Sequence, residues 1–310
     1  MRVDRHQLVC STIAVVAMVS VLAATSATLA QARRRGSSGP ADHVVAADKP
    51  FIDDFDGKEI DRTKWNIEVT GRTVNNEQQA YIDSGEVLYI VQDGPLAEGK
   101  ESGGVLVFHP RFRDNYSSEA TRGREYDFVS GRINTRGRVE FTHGSASARI
   151  RMTEGAGLWP AFWLLGNGRW PDTGEIDIME YVGDKTWVSQ AVHGPGYSGN
   201  TPIVNRTTMA ADADATAWHV YSVDWTATEM VFRIDGEAVY QVTKEMIEKH
   251  GRWVFDEPKH VIVNFALGGG YPQGVNRVER PYPGLPESTV EIIKADGAVY
   301  LVDWVRVTKG

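Results

Sequence analysis

The chain has 310 residues, with 41 Asp and Glu against 33 Lys and Arg and a formal net charge of −8. Hydrophobic residues make up 42% and charged residues 24%, which excludes a disordered, collagen-like or polytopic membrane chain. An acidic balance argues against nucleic acid as a partner, because phosphate binding needs a basic face. The one cysteine, Cys10, lies in an N-terminal apolar stretch. Removal of that stretch leaves no thiol for a disulfide, a nucleophile or a Cys-based zinc site.

Arg2 and Arg5 precede a nearly continuous apolar run from Leu8 to Ala24, and Ala30-Gln31-Ala32 follows. Basic start, apolar core and A-x-A site predict a secretory signal peptide over 1–32 and an extracellular, secreted product with no stable membrane association after cleavage. An uncleaved anchor is the alternative, because about 17 apolar residues just span a bilayer. Residues 33–49 are small and polar and read as a flexible linker. From residue 50 to 310 no composition break or internal repeat appears, which predicts one domain and a monomer.

The strand signals come in order. Arg138–Thr142, Ser147–Met152, His219–Trp225, Met230–Asp235, His260–Ala266 and Tyr300–Thr308 are short, β-branched and aromatic. Asp235-Gly236 between Met230–Ile234 and Ala238–Val242 is a hairpin signal. Lys244–His250 is the one segment that reads as helix. Many short strands with Gly and Pro turns predict an all-β sandwich or jelly roll.

The most informative segment is Trp170–Gly183, WPDTGEIDIMEYVG. Strand side chains alternate faces, so Glu175 and Asp177 share one face and Ile176 and Ile178 the other. Glu180 is out of phase. One extra residue near Ile178-Met179, a β-bulge, brings all three acids to one groove. Glu175 and Glu180 are then about 13 Å apart at Cα, at about 3.3 Å per residue. Side chains leaning together can reach the roughly 5–5.5 Å carboxyl separation of a retaining glycosidase. One acid must be ionised to attack and the other protonated to donate, and like charges in proximity push their pKa values apart. A Ca²⁺ site and a solvated face are the alternatives for these residues.

At GEIDIME the sequence resembles glycoside hydrolase family 16, in the bulged E-x-D-x-x-E form of its laminarinase-like members. FIDDFDG at 51–57, NNEQQAY at 75–81, SGRINTRGR at 130–138, GLWPAFWLLG at 157–166, HG at 193–194, VNFALGGG at 263–270 and VDWVRV at 302–307 extend the resemblance over residues 51–308. It implies a β-jelly-roll of two curved antiparallel sheets with a concave-face substrate cleft. It also implies retaining endo-hydrolysis of a β-linked polysaccharide, with no cofactor in the chemistry. Glu175 matches the nucleophile, Asp177 the assisting acid and Glu180 the general acid/base. The resemblance further implies that Trp159 and Asn75 line the cleft. Asn76 is weighed evenly between cleft and turn. It also implies a structural Ca²⁺ on the convex face, at Asp54, a backbone carbonyl near Gly104, and Asp303.

Trp170, on a turn before the carboxylate strand, reads as a sugar-stacking platform. Period 2 puts Trp163 on the face of Trp159. His193 is expected on the neighbouring strand, bonding sugar or tuning Glu180, with a structural role as the alternative. Trp65, Trp187, Trp218, Trp225, Trp253 and Trp304 are assigned to core packing. Residues 92–104 and 111–129 read as enlarged loops. Arg111, Arg113, Arg122, Arg124 and Arg132 make that region basic, suited to an anionic or branched glycan. Residues 271–288 replace a shorter segment expected in laminarinases, and such loops set subsite shape. The expected activity is endo-hydrolysis of β-1,3-glucan. The alternatives are hydrolysis of β-1,3-galactan or another galactan, transglycosylation, and a non-catalytic glycan-binding sandwich.

Overall fold

The computed structural model describes residues 50–71, 74–101, 103–210 and 214–310. The expected signal peptide and linker lie outside the described residues. Apolar side chains at every second position fold the chain into two large antiparallel sheets packed face to face. One sheet runs Glu237–Thr243, Glu229–Ile234, His219–Trp225, Gly144–Met152, Tyr300–Lys309, Val105–Phe108, Leu88–Val91, with Phe51–Asp53 added beside Tyr300–Lys309. The other runs Val204–Thr208, Trp187–His193, Glu175–Glu180, Leu158–Gly166, Lys259–Leu267, Arg132–Asn134, Asn66–Ile67, with Glu140–Phe141 beside Lys259–Leu267. Neighbours in each sheet are often distant in sequence, the connectivity of a jelly roll.

The core lies between the sheets. Ala146, Ala148, Ile150 and Met152 enter it from one side, and Leu158, Phe162, Leu164, Ile176 and Val188 from the other. The expected hairpin is present, with Asp235 and Gly236 at φ 51° and 85°, the two positive values that a tight two-residue turn requires.

Three expectations are corrected. Residues 111–129 are not simply a loop. Arg111–Tyr116 and Tyr126–Ser130 pair with each other, and Tyr126–Ser130 pairs in parallel with Gln79–Tyr81, giving a small third sheet. Alternation in Arg111–Tyr116 is weak because most of its side chains are polar. Lys244–Glu248 is helical, but so are Gly270–Asn276 and Glu287–Lys294. The latter buries Thr289, Val290 and Ile293, a helical spacing masked by the prolines before it. Of the tryptophans assigned to the core, Trp65, Trp225, Trp253 and Trp304 are buried. Trp187 and Trp218 are only partly so, and each carries an arginine over its ring.

One buried cation ties the segment before the carboxylate strand to the sandwich. Lys259 is fully buried, and its Nζ donates to the carbonyls of Thr173 (2.8 Å), Val254 (3.3 Å) and Glu257 (3.4 Å). It sits 5.0 Å from the Phe255 ring centroid and 5.4 Å from that of Trp225. Burial lowers its pKa to about 8. Lys259→Met keeps the chain's bulk but strands these buried carbonyls. The expected loss is about 2–4 kcal/mol, read from the urea unfolding midpoint.

Candidate active site

The carboxylate strand Glu175–Glu180 is bracketed by two glycines that no other residue replaces without strain. Gly174 has φ 73°, and a Cβ there would lie 2.8 Å from the Phe255 ring. Gly183 has φ 94°, and a Cβ there would lie 1.8 Å from the Gly155 carbonyl oxygen. Between them the bulge is present. Against Leu158–Gly166 the register runs Leu165↔Glu175, Leu164↔Ile176, Trp163↔Asp177, then Phe162↔Met179 and Ala161↔Glu180, so Ile178 is the extra residue. Against Trp187–His193 the pairing is also irregular between Asp177 and Glu180. Ile176, Ile178 and Met179 all enter the core. Their burial fixes the opposite face, on which Glu175, Asp177 and Glu180 stand together.

The register arranges this face in rows that cross the strands. One row holds His193, Glu175, Leu165 and His260. The next holds Val204, Ala191, Asp177, Trp163, Ile262 and Asn134. The third holds Arg206, Ser189, Glu180, Ala161, Asn264 and Arg132.

Asp177 is 4% exposed, while Glu175 and Glu180 are partly open to the groove. His193 Nε2 lies 3.2 Å from Asp177 Oδ2 and 3.8 Å from Glu175 Oε1. The Trp159 indole donates to Glu180 Oε1 at 3.0 Å. Burial is the main force on all three acids and pushes each up to about 8. The charge of Asp177 adds to the rise at Glu175 and Glu180, whereas His193 opposes it at both. Hydrogen bonds from Trp170 to Glu175 and from Trp159 to Glu180 also oppose it. The site therefore holds protons at neutral pH, with His193 and two indole groups placed to oppose that rise at the two glutamates.

Trp170 is 46% exposed and tilts over His193, ring centroids 6.4 Å apart. Trp163 is on the expected face, and its indole donates to Asn264 Oδ1 at 2.7 Å. Asn75 and Asn76 lie in a turn, both exposed and with φ 54° and 57°. The Asn75 carbonyl accepts from Gly270 N at 2.6 Å, so its visible role is to seat the start of the Gly270–Asn276 helix. That helix brings in a residue the sequence reading passed over. Tyr271 packs edge-on against Trp159 at 5.5 Å, and its hydroxyl is 2.9 Å from Ser189 Oγ. Arg206, 4.4 Å over the Trp187 ring, also bonds Tyr271.

The arginines expected to form one basic patch are dispersed. Arg111 pairs with Asp296, Arg113 with Glu86, and Arg124 lies over Tyr126. Arg132 is on the groove face, 3.0 Å from Glu68 Oε2 and 5.0 Å over the Trp163 ring.

For the expected Ca²⁺ site, Asp303 is fully buried on Tyr300–Lys309. Its Oδ2 accepts from Arg149 at 2.7 Å and from Glu101 N at 2.8 Å. Its Oδ1 has no hydrogen-bond partner among the described residues, an oxygen that a hard cation suits. The Asp54 carbonyl accepts from Gly104 N at 3.0 Å, which brings those segments together. Lys100 Nζ already bonds the Gly103 carbonyl. Among the described residues, no helix is long and apolar enough to cross a membrane.

The description "Glycosyl hydrolases family 16" matches residues 68–277. A "Beta-glucanase" of Rhodothermus marinus is 33% identical over 271 residues, covering 83% of each chain. The X-ray structure of an endo-β-1,3-glucanase from Pyrococcus furiosus superposes with a TM-score of 0.68 at 32% identity, over 83% of this chain and 92% of that one. The laminarinase catalytic domain from Thermotoga maritima gives 0.66 at 29%, over 84% and 97%. The chain belongs to glycosyl hydrolases family 16. Its sandwich is the jelly roll of that family, and it is a glycoside hydrolase.

Raised carboxyl pKa values bind protons in the folded state that the unfolded chain has already released. Between about pH 4 and pH 8 the folded state holds more protons, so stability from this site falls as pH rises through that window. The expected result is a melting temperature that declines from pH 5 to pH 8.5, with a shallower decline in Glu175→Gln, measured by calorimetry.

Proposed function

We propose that this chain is a secreted, retaining endo-β-glucanase that cuts β-1,3-glucan by double displacement. The observation that carries the reading is the bulged strand that places Glu175, Asp177 and Glu180 on one groove face. A Glu175 oxygen attacks the anomeric carbon as the glycosidic C–O bond breaks, and Glu180 gives its proton to the leaving oxygen. Water then delivers hydroxide to the anomeric carbon and its proton to Glu180, and the bond to Glu175 breaks. Two inversions leave the configuration unchanged.

The raised pKa values serve the second role directly, keeping Glu180 protonated at neutral pH. His193 and the Trp170 N–H favour ionised Glu175, and Asp177 stands between the two. Trp170, exposed beside His193, supplies an aromatic face for a sugar ring. The apolar run at 8–24 supports secretion, and the relatives' glucan specificity supports the substrate.

The test is a panel of β-1,3-glucan, mixed-linkage glucan, β-1,3-galactan, agarose and xyloglucan, with products read by mass. Short oligomers from β-1,3-glucan are expected. Glu180→Gln should lower kcat by about 10²–10⁴-fold, and Glu175→Gln should remove turnover. Activity should be bell-shaped in pH, falling above about 8 as Glu180 loses its proton and falling at lower pH as Glu175 gains one. Products from a galactan alone would replace the substrate. Binding without products would support a glycan-binding protein.

The calcium reading is also proposed. Asp303 Oδ1, Asp54 and a backbone carbonyl near Gly104 would hold the ion, and its contribution would be to stability. A chelator should lower the melting temperature by several degrees, and an unchanged value would remove the ion from the account.

A further inference from the structure

The groove holds a second chemical possibility that glycoside hydrolysis does not use. Among the described residues, Glu175, Asp177 and His193 form a group of three side chains whose ligand atoms all lie within 4.8 Å of one another. The donors are one imidazole nitrogen and two carboxylate oxygens. Ca²⁺ takes six to eight oxygens at about 2.3–2.6 Å, and an imidazole does not suit it. A borderline divalent ion such as Zn²⁺ takes this N/O set in tetrahedral geometry at about 2.0–2.1 Å, which puts neighbouring donors about 3.3 Å apart. His193 Nε2 is 3.2 Å from Asp177 Oδ2 and 3.8 Å from Glu175 Oε1. The two pairs that include His193 are thus spaced to within about half an ångström of a zinc tetrahedron's edges, and the third pair lies within 4.8 Å.

An independent observation concerns Asp177. It is 4% exposed, and its Oδ2 lacks a hydrogen-bond partner among the described residues although it faces His193 Nε2. A buried carboxylate oxygen with no donor, aimed at an imidazole, is what a metal ion between them would satisfy. The scaffold holds the donors in register, because Glu175↔His193 and Asp177↔Ala191 are paired across adjacent strands. Glu175 and His193 keep partial access to the groove, so a fourth position can stay open to water. His193 Nδ1 has no partner among the described residues. Zinc-ligating histidines ordinarily have one, and its loss costs about 10–100-fold in affinity. Reversible, micromolar binding follows rather than the tight hold of a structural site.

We propose that Zn²⁺, or a divalent ion of the same N/O-ligand preference, binds reversibly at Glu175, Asp177 and His193 and blocks the groove. The binding stands on the geometry alone. The inhibitory consequence rests on the glucanase reading, because the ion takes the oxygen that reading assigns to attack. Polysaccharide and metal then compete for the same carboxylate.

Titration of the purified protein with zinc chloride, followed by calorimetry in a non-coordinating buffer, tests the site. One ion per chain at micromolar concentration is expected. Calcium chloride at the same concentrations should not displace it. His193→Gln should weaken binding at least tenfold, and Asp177→Asn should do the same, with circular dichroism confirming that each variant is folded. His143→Gln, a histidine beside Asp256 and away from the acids, should bind as the wild type does. No saturable binding below millimolar zinc, or unchanged affinity in both His193→Gln and Asp177→Asn, overturns the site. In parallel, zinc should raise KM on β-1,3-glucan without lowering kcat. Full activity at saturating zinc overturns the block. Zinc binding by a protein inactive on every glycan leaves the site standing and removes the glucanase reading instead.

Discussion

The candidate active-site face depends on a conflict between two periods. A strand alternates its side chains with period two, and the acids at 175, 177 and 180 do not obey it. The conflict is resolved by one extra residue at Ile178, which the neighbouring strand Leu158–Gly166 leaves unpaired. The bulge is held from below, because Ile176, Ile178 and Met179 are all buried in the core. A regular strand would turn Glu180 inward and Met179 into the groove. The apolar side of the strand therefore sets the position of the polar side, and the packing that stabilises the sandwich also aligns the acids.

Placing three carboxyl groups together in a half-closed groove is electrostatically costly. The surrounding strands offset part of that cost. His193, directly opposite Glu175 in the register, brings a titratable imidazole to the acids. Indole N–H groups arrive from two other directions, from Trp159 on the adjacent strand and from Trp170 on the turn before Glu175. Tyr271 closes the far side of Trp159 from a helix that the Asn75 turn seats. The acids remain strongly proton-binding, which suits the proton-donor role proposed for Glu180.

The parts of this arrangement that were legible in the sequence are local ones. The phase break in GEIDIME is visible within six residues, and Asp235-Gly236 announces its hairpin within two. The parts that were not legible depend on distant partners or on weak alternation. Tyr271 meets Ser189 across 82 positions, and nothing near either residue signals the contact. Arg111–Tyr116 pairs as a strand although its side chains are mostly polar, because its backbone completes a small sheet. Gly270–Asn276 contains Gly270, Pro272 and Gly274, residues that argue against helix by propensity and are overridden by tertiary context. Asn75, a groove residue by resemblance, also holds the start of that helix through its backbone carbonyl, a contact that its side-chain type does not announce.

The rows on the groove face run across the strands rather than along them. A ligand lying along a row meets a new strand about every 4.8 Å. Each strand comes from a different part of the chain, so adjacent ligand units are contacted by segments that are remote in sequence. Residue 206 belongs to one end of such a row and residue 132 to the other, with Glu180 between. The two ends can diverge independently, because a change in one outer strand leaves the other side of the sheet and the central bulge undisturbed. Fidelity of the reaction and choice of polymer are thereby separable properties of one sheet.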